Sequence, residues 1–260
     1  MRRYEGKVVM VVGCAQGIGE AIAKAYGIEG AKLAMFDIQE KIHETGAAVK
    51  AEVGVEDLIT GIVDITSFEA CQNAVKETVD AFGRIDVLAL ASGTLTLGSV
   101  EEMSVDVWNK VMNVNTNGYF YMTKAVIPQM KAQKSGNMVL TGSWSAYAGT
   151  AYFSAYCCSK AAVIRLMHAL AEELAGDGIR VNCVCPGSIA TSLHFNCLEE
   201  QAEAAGITVE EQKKIDYSRM AMHRPGRPSE IADAFVFLGT DQASYITGAC
   251  IDVNGGGCLR

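Results

Sequence analysis

The sequence predicts an α/β fold, a doubly wound parallel seven-stranded sheet with helices on both faces. Three observations carry this. Short apolar runs alternate with longer amphipathic segments along all 260 residues, the order that builds parallel sheets. The runs are apolar without interruption, as strands buried on both faces require. A turn containing three glycines joins the first run to the first amphipathic segment. In order, strands are expected at 7–12, 32–37, 59–64, 85–91, 137–142, 179–184 and 250–253. Helices are expected at 17–29, stopped by Gly30, and at 67–82, capped by Ser67 and ended by Gly83. Further helices are expected at 104–133, with Pro128 in the last turns, and at 152–175 and 229–239.

No linker, low-complexity tract or break in composition divides the chain, so residues 1–260 read as one domain. Segment 192–222 departs from the rhythm, with many charges and few strand signals. It follows the sixth strand, at the sheet end where open α/β folds meet ligands, and its length suits a lid better than a linker.

A net charge of −8 without a long run of one sign excludes the basic footprint of a nucleic-acid binder and disfavours anionic membranes. No segment has the length or flanks of a signal peptide or a membrane span. The expectation is a soluble, cytoplasmic protein whose partner is a small molecule. The nine cysteines form no Cys-x-x-Cys pair, which argues against a disulfide framework and against a metal site. They read as reduced thiols, with Cys183 and Cys185 sharing one strand face as core fillers.

The glycine turn is Gly13-Cys14-Ala15-Gln16-Gly17-Ile18-Gly19. Gly13 permits the turn, Gly17 lets backbone approach a pyrophosphate, and Gly19 lets the helix close on the sheet. Amides at the helix N-terminus then hold phosphate oxygens. Asp37 ends the second strand, eighteen residues after Gly19. Its carboxylate can accept from both hydroxyls of an adenosine ribose and repels a 2′-phosphate, and no Lys or Arg follows directly to receive one. NAD(H) is therefore expected over its phosphorylated counterpart. Tyr156 and Lys160 lie four apart at the start of a helix and share a face. The ammonium favours the phenolate, as does an oxidised nicotinamide, so the tyrosine can exchange a proton with an alcohol.

In these residues the chain resembles the short-chain dehydrogenase/reductase family, in its single-domain, Rossmann-like form. The matching stations run in order: the Gly13/Gly17/Gly19 turn, Asp64, Gly93, Asn115, Ser143, Tyr156 with Lys160, Pro186-Gly187 with Thr191, and Ile246-Thr247-Gly248 leading to Asn254-Gly255-Gly256. The resemblance implies that Ser143 holds the substrate oxygen, with Ser145 the alternative. It implies that Tyr156 passes the proton, that Lys160 tunes it and holds the nicotinamide ribose, and that Asn115 positions a relay water. Asp64 and Ile65 would contact adenine. Gln16, Ile18, Leu90, Gly93, Pro186, Gly187, Ile189 and Thr191 complete the expected cofactor contacts. A homotetramer is implied, built partly on the helices carrying Asn115 and Tyr156. The chain departs from the family pattern at Val12, Leu90 and Asn254, and Leu90 puts one side-chain contact to the cofactor in doubt.

The expected function is NAD-dependent interconversion of a secondary alcohol and its ketone. The rival is a catalytically silent NAD-binding sensor or scaffold, against which the full set Asn115, Ser143, Tyr156 and Lys160 argues. A larger epimerase or dehydratase is excluded by glycine spacing and length. For substrate, Ser145, Phe153 and His194 are the candidate contacts. Leu95, Leu97, Tyr147 and Leu193 suggest an apolar wall, while Lys213, Lys214, Arg219 and Arg224 leave open an acidic substrate. Trp144 reads as pocket lining or a subunit contact.

Overall fold

Five consecutive apolar residues form β1 (Val8–Val12), buried along its whole length, and the other strands assemble around it. The computed structural model describes residues 2–258. The strands are β2 (Lys32–Asp37), β3 (Leu58–Ile62), β4 (Val87–Leu90), β5 (Gly136–Thr141), β6 (Ile179–Pro186) and β7 (Cys250–Val253). They form one seven-stranded sheet in the order β3-β2-β1-β4-β5-β6-β7, every neighbouring pair parallel. The order reverses between β1 and β4. Ligand crevices open at such a point, beyond the carboxyl ends of the strands.

Two apolar layers flank the sheet. One packs Met10, Phe36, Leu88, Leu140 and Cys183 against α3 (Phe68–Phe82), α5 (Gly118–Gln133) and α6 (Ser154–Leu174). The other packs Val9, Val11, Leu33 and Val184 against α1 (Gly17–Ile28), α2 (Ile42–Val53) and α9 (Pro228–Gly239). Tyr4 and Tyr26 cross edge-to-face in the second layer, and their hydroxyls donate to Val236 O and Phe235 O of α9. Among the described residues, no helix is long and apolar enough to cross a membrane.

The expected strands and helices are present, most ends moved by one to three residues, the ordinary uncertainty of an element end. Three findings go beyond a shift. Helix α2 was not expected, because its Thr45, Gly46 and paired alanines blur the apolar stripe. The helix expected at 104–133 is α4 (Val105–Met112), one π turn (Asn113–Asn117) and then α5. The π turn adds a residue to the rise and turns Asn115 inward; such bulges gather at functional sites. Segment 192–222 contains α7 (Ser192–Ala205) and α8 (Val209–Ser218). Thr191 caps the first, and a Thr208–Glu211 capping box starts the second.

Helix α1 sits tight against the strand ends because Gly19 has no side chain. A Cβ there would overlap the Gly13 carbonyl, an atom that cannot step aside. Gly19→Ala must therefore push α1 outward, at a cost of about 1–3 kcal/mol. Urea unfolding checks this; an unchanged midpoint would contradict it.

Candidate active site

A groove follows the carboxyl ends of β1, β2 and β4. Its walls include Gly13, Gln16, Gly17, Ile18 and Gly19 from the glycine turn, with Asp37, Asp64, Ile65 and Gly93. Gly17 has φ +63°, and a Cβ on Gly13 would collide with the Ser92 backbone nitrogen. Gly13 thus lets the loop after β4 pack against the turn, and Gly17 takes a left-handed backbone that favours glycine where the turn opens α1. Asp37 is buried. Its Oδ2 accepts from Ala15 N at 2.9 Å and its Oδ1 from Gln39 N at 3.0 Å. The carboxylate is thus clamped by backbone with lone pairs to spare, facing the groove beside Ile38 and Gln39. The glycine cradle, the amides at the start of α1 and the clamped carboxylate fit a dinucleotide.

The groove continues into a second cavity that shares Ile18, Ala91, Ser92, Gly93, Thr191 and Leu193 with it. Ser143, Tyr156 and Lys160 line this cavity, with Pro186, Gly187 and Ile189 on the facing wall. Ser143 and Tyr156 share this wall, Ser143 favouring the phenolate, and Ser143 Oγ accepts from Ser145 N at 3.2 Å. Lys160 is 2 % exposed. Its Nζ donates to Thr141 O at 3.0 Å and lies over the rings of Tyr119 and Tyr156, 5.2 and 5.8 Å from their centroids. Burial of the ammonium lowers its pKa to about 8. Burial pushes the Tyr156 phenol up to about 12, against the pull of Ser143.

Asn115 stands behind this cluster, fully buried. Its Oδ1 accepts from Thr94 N and its Nδ2 donates to Thr94 O, both at 2.8 Å, and Nδ2 also donates to Ser159 Oγ at 3.0 Å. A Cβ on Gly93 would lie 3.6 Å from Lys160 Nζ and 3.7 Å from Asn115 Oδ1, so the small residue keeps open the space between them. The amide, the ammonium and the two hydroxyls thus lie along one polar path, with the space beside Gly93 between Lys160 Nζ and Asn115 Oδ1. Such a path can pass a proton between a substrate oxygen and the groove.

Helices α7 and α8 close the far end of the cavity. Leu193, His194, Cys197, Gln201, Asp216 and Arg219 line it there, opposite Leu95, Trp144, Ser145, Thr150 and Phe153. Asp216 is buried and accepts from Ser188 Oγ at 2.8 Å. His194 Nε2 lies 3.9 Å from Asp216 Oδ2, too far for a hydrogen bond, and is buried without a partner among the described residues. Burial lowers the His194 pKa, which keeps the imidazole neutral.

The structure brings together at these two cavities nearly all the residues singled out from sequence. Asn115 lies behind the cavities rather than lining them, and among the expected cofactor contacts Leu90 is the exception: it is buried in the core, and its carbonyl accepts from Thr141 Oγ1 at 2.6 Å, so Ala91, Ser92 and Gly93 line the groove in its place. Leu97 and Tyr147 do not reach the substrate cavity, whereas Leu95 and Phe153 do. Sequence reasoning missed Tyr119, Ser188, Gln201 and Asp216. Tyr119 was within reach, since it lies four residues after Asn115 and so shares its face. The others carry no local signal, because the α7–α8 packing alone turns them inward.

The profile of a family described as enoyl-(acyl carrier protein) reductase matches residues 13–257. An uncharacterized oxidoreductase of Thermotoga maritima is 36% identical over 254 residues, covering 97% of this chain and 98% of its own. A meso-2,3-butanediol dehydrogenase of Serratia marcescens is 33% identical over 254 residues, 98% of this chain and 95% of that protein. Among solved structures, an NAD+-bound xylitol dehydrogenase superposes with a TM-score of 0.94 at 31% identity, covering 98% of this chain and 100% of that one. With its parallel sheet, its glycine cradle and the Ser143, Tyr156 and Lys160 cluster at the strand ends, the chain belongs to the short-chain dehydrogenase/reductase family of oxidoreductases.

Proposed function

We propose that this oxidoreductase interconverts a secondary alcohol and its ketone with NAD(H), in one catalytic domain roofed by a lid at about 192–222. The observation that carries the reading is the meeting of the Ser143 and Tyr156 hydroxyls in a cavity continuous with the Asp37 groove. A silent NAD-binding sensor or scaffold has no use for two convergent hydroxyls over a buried ammonium. When bound, NAD(H) supplies or accepts the hydride.

The chain's residues do the rest. Ser143 Oγ donates to the substrate oxygen and fixes it beside Tyr156 Oη, which gives that oxygen a proton in reduction and takes it in oxidation. Lys160 and the positive ring of an oxidised nicotinamide stabilise the phenolate, counteracting the burial that holds the phenol near 12. Asn115, fixed by both backbone groups of Thr94, keeps one end of the proton path in place. Pro186, Gly187, Ile189 and Thr191 form the wall that orients the nicotinamide. Among the described residues no Lys or Arg pairs with Asp37, so its charge supports NAD over its 2′-phosphorylated form.

The far end of the cavity narrows the substrate. Asp216 and Arg219 put both signs of charge at this end, and His194 Nε2, buried without a partner among the described residues, can take a hydrogen bond from the substrate. The arrangement suits a neutral substrate with a second hydroxyl or carbonyl beyond the reacting carbon, such as a diol. It disfavours the wholly apolar substrate. The chain is proposed to act as a homotetramer.

Four outcomes test these statements. Tyr156→Phe should lower turnover by about 10²–10⁴ while NADH still binds, read by NADH fluorescence; near-normal turnover would refute the mechanism. Asp37→Ala should narrow the preference for NAD over NADP by about tenfold, or roughly 1.4 kcal/mol, in comparative kcat/KM. An unaltered enzyme that uses both equally would contradict the role of Asp37. Ketone reduction needs a protonated phenol and the ammonium beside it, so its rate should fall as pH rises through about 8, where Lys160 discharges. A rate rising over that range would overturn the assignment. His194→Ala should raise KM for a diol by roughly tenfold, or about 1–2 kcal/mol for one lost hydrogen bond, with little change for a simple secondary alcohol. An equal effect on both would remove His194 from recognition.

A further inference from the structure

Three of the nine cysteines converge. Cys183 and Cys250 are aligned partners on neighbouring parallel strands. Cys185 follows two residues along β6 and therefore points to the same face. Their three sulfurs all lie within 4.8 Å of one another. Sequence spacing hid the cluster, since Cys250 comes from an edge strand 65 residues further on than Cys185. Read one at a time, the two residues of β6 pass for core fillers.

The surroundings are organised. Arg180 and Asn182 of β6 hold the chain that leads into β7 through the carbonyls of Ile246, Leu238 and Thr240 and the amide of Ala249. Cys183 N donates to Ala249 O at 2.9 Å. The strand carrying Cys250 is thus fixed at the height of Cys183. Cys183 and Cys185 are fully buried, whereas Cys250 is partly exposed at the sheet edge, which gives an entry route. The Tyr147 hydroxyl caps the group, 3.6 Å from Cys185 Sγ. On the inner side stands Gly142: a Cβ there would lie 2.7 Å from Cys183 Sγ and 2.9 Å from Cys185 Sγ. Gly142 immediately precedes Ser143.

We propose that Cys183, Cys185 and Cys250 form a binding site for a soft, thiophilic d10 cation of the Zn2+ and Cd2+ class, and that its occupancy restrains the Gly142–Ser143 segment. Three thiolates about 2.3 Å from one ion place their sulfurs roughly 4 Å apart, a contraction small enough for side-chain rotation. Each thiol that binds loses its proton to solvent, so M2+ and three thiols give an M(SR)3 anion and three protons. No oxidant is needed, and a single negative charge remains beneath Tyr147, where a fourth ligand can approach. Soft sulfur donors select such ions over Mg2+ or Ca2+.

The test uses the full chain, kept reduced, titrated with Cd2+ alone. Binding is followed by equilibrium dialysis with metal analysis and by the ultraviolet thiolate-to-cadmium charge-transfer band. Trp144, next to Ser143, reports on the segment when Trp108 is replaced by Phe, since the chain has 2 tryptophans. We expect one tightly bound Cd2+ per chain, a three-thiolate band and a change in Trp144 emission. Cys250→Ser should weaken binding by roughly a hundredfold or more, about one ligand's share of a structural thiolate site. Replacing the two adjacent thiols outside the cluster, Cys157→Ser with Cys158→Ser, should leave all three signals unchanged. Cys250 lies on the edge strand, where serine is easily accommodated; Cys183→Ala checks the buried ligand. No uptake at stoichiometric Cd2+, uptake undiminished in Cys250→Ser, uptake lost with Cys157 and Cys158, or binding with unchanged Trp144 emission would each overturn the proposal.

Discussion

The rest of the site depends on one buried ammonium. Lys160 is placed inside the protein with the backbone acceptor Thr141 O and two tyrosine rings within 5.2 and 5.8 Å of its Nζ. Taking a lysine out of water is costly, and the depression of its pKa from 10.5 to about 8 corresponds to roughly 3 kcal/mol against folding at neutral pH. The sign follows from linkage. The unfolded chain holds this proton more tightly than the folded one, so stability rises with pH between the two values and the penalty is fully present below about 8. The fold bears this cost because the surrounding elements over-determine the position: α6 is anchored along the sheet, α5 supplies Tyr119, and the π turn supplies Asn115.

The same constraint explains why the neighbours are what they are. Gly93 keeps clear the space between Lys160 Nζ and Asn115 Oδ1. Tyr119 is itself fixed by hydroxyl donation to Ser92 O at 2.8 Å, which ties the ammonium to the loop after β4. The sheet therefore delivers ammonium, amide and hydroxyls to the carboxyl ends of β4 and β5, next to the reversal in strand order where the dinucleotide groove opens. Fold and site are one arrangement, in which parallel strands end together and their following turns meet.

Much of this was legible in the sequence, for identifiable reasons. Strands buried on both faces are written as unbroken apolar runs, which located the five inner strands, and the partly buried edge strands β3 and β7 kept enough of the pattern to be found; β2 and β7 were placed to the residue. The glycine turn and Asp37 are local features whose geometry follows from the strand they terminate. What stayed hidden depends on long-range packing. The π turn at Asn113–Asn117 leaves no mark in an otherwise helical pattern. Helix α2 has too weak an apolar stripe. Asp216 looks like one more charge on a polar helix until α8 folds it against Ser188. Leu90 was misplaced because a strand's last residue points either into the core or into the groove, and the register with β5 decides which. The cysteine cluster needs the β6–β7 alignment, which no spacing rule contains.

The chemistry turns on electrostatics: a phenol that burial holds near 12 even beside Lys160 needs the positive charge of an oxidised nicotinamide to come into working range. The direct measurement is the ionisation of Tyr156, read as the tyrosinate absorbance difference between the native protein and its Tyr156→Phe variant across pH, with and without NAD+. Bound NAD+ should move this titration down from about 12 by at least about one unit, the effect of a full positive charge nearby. A titration at the same pH in the presence and absence of NAD+ would contradict it.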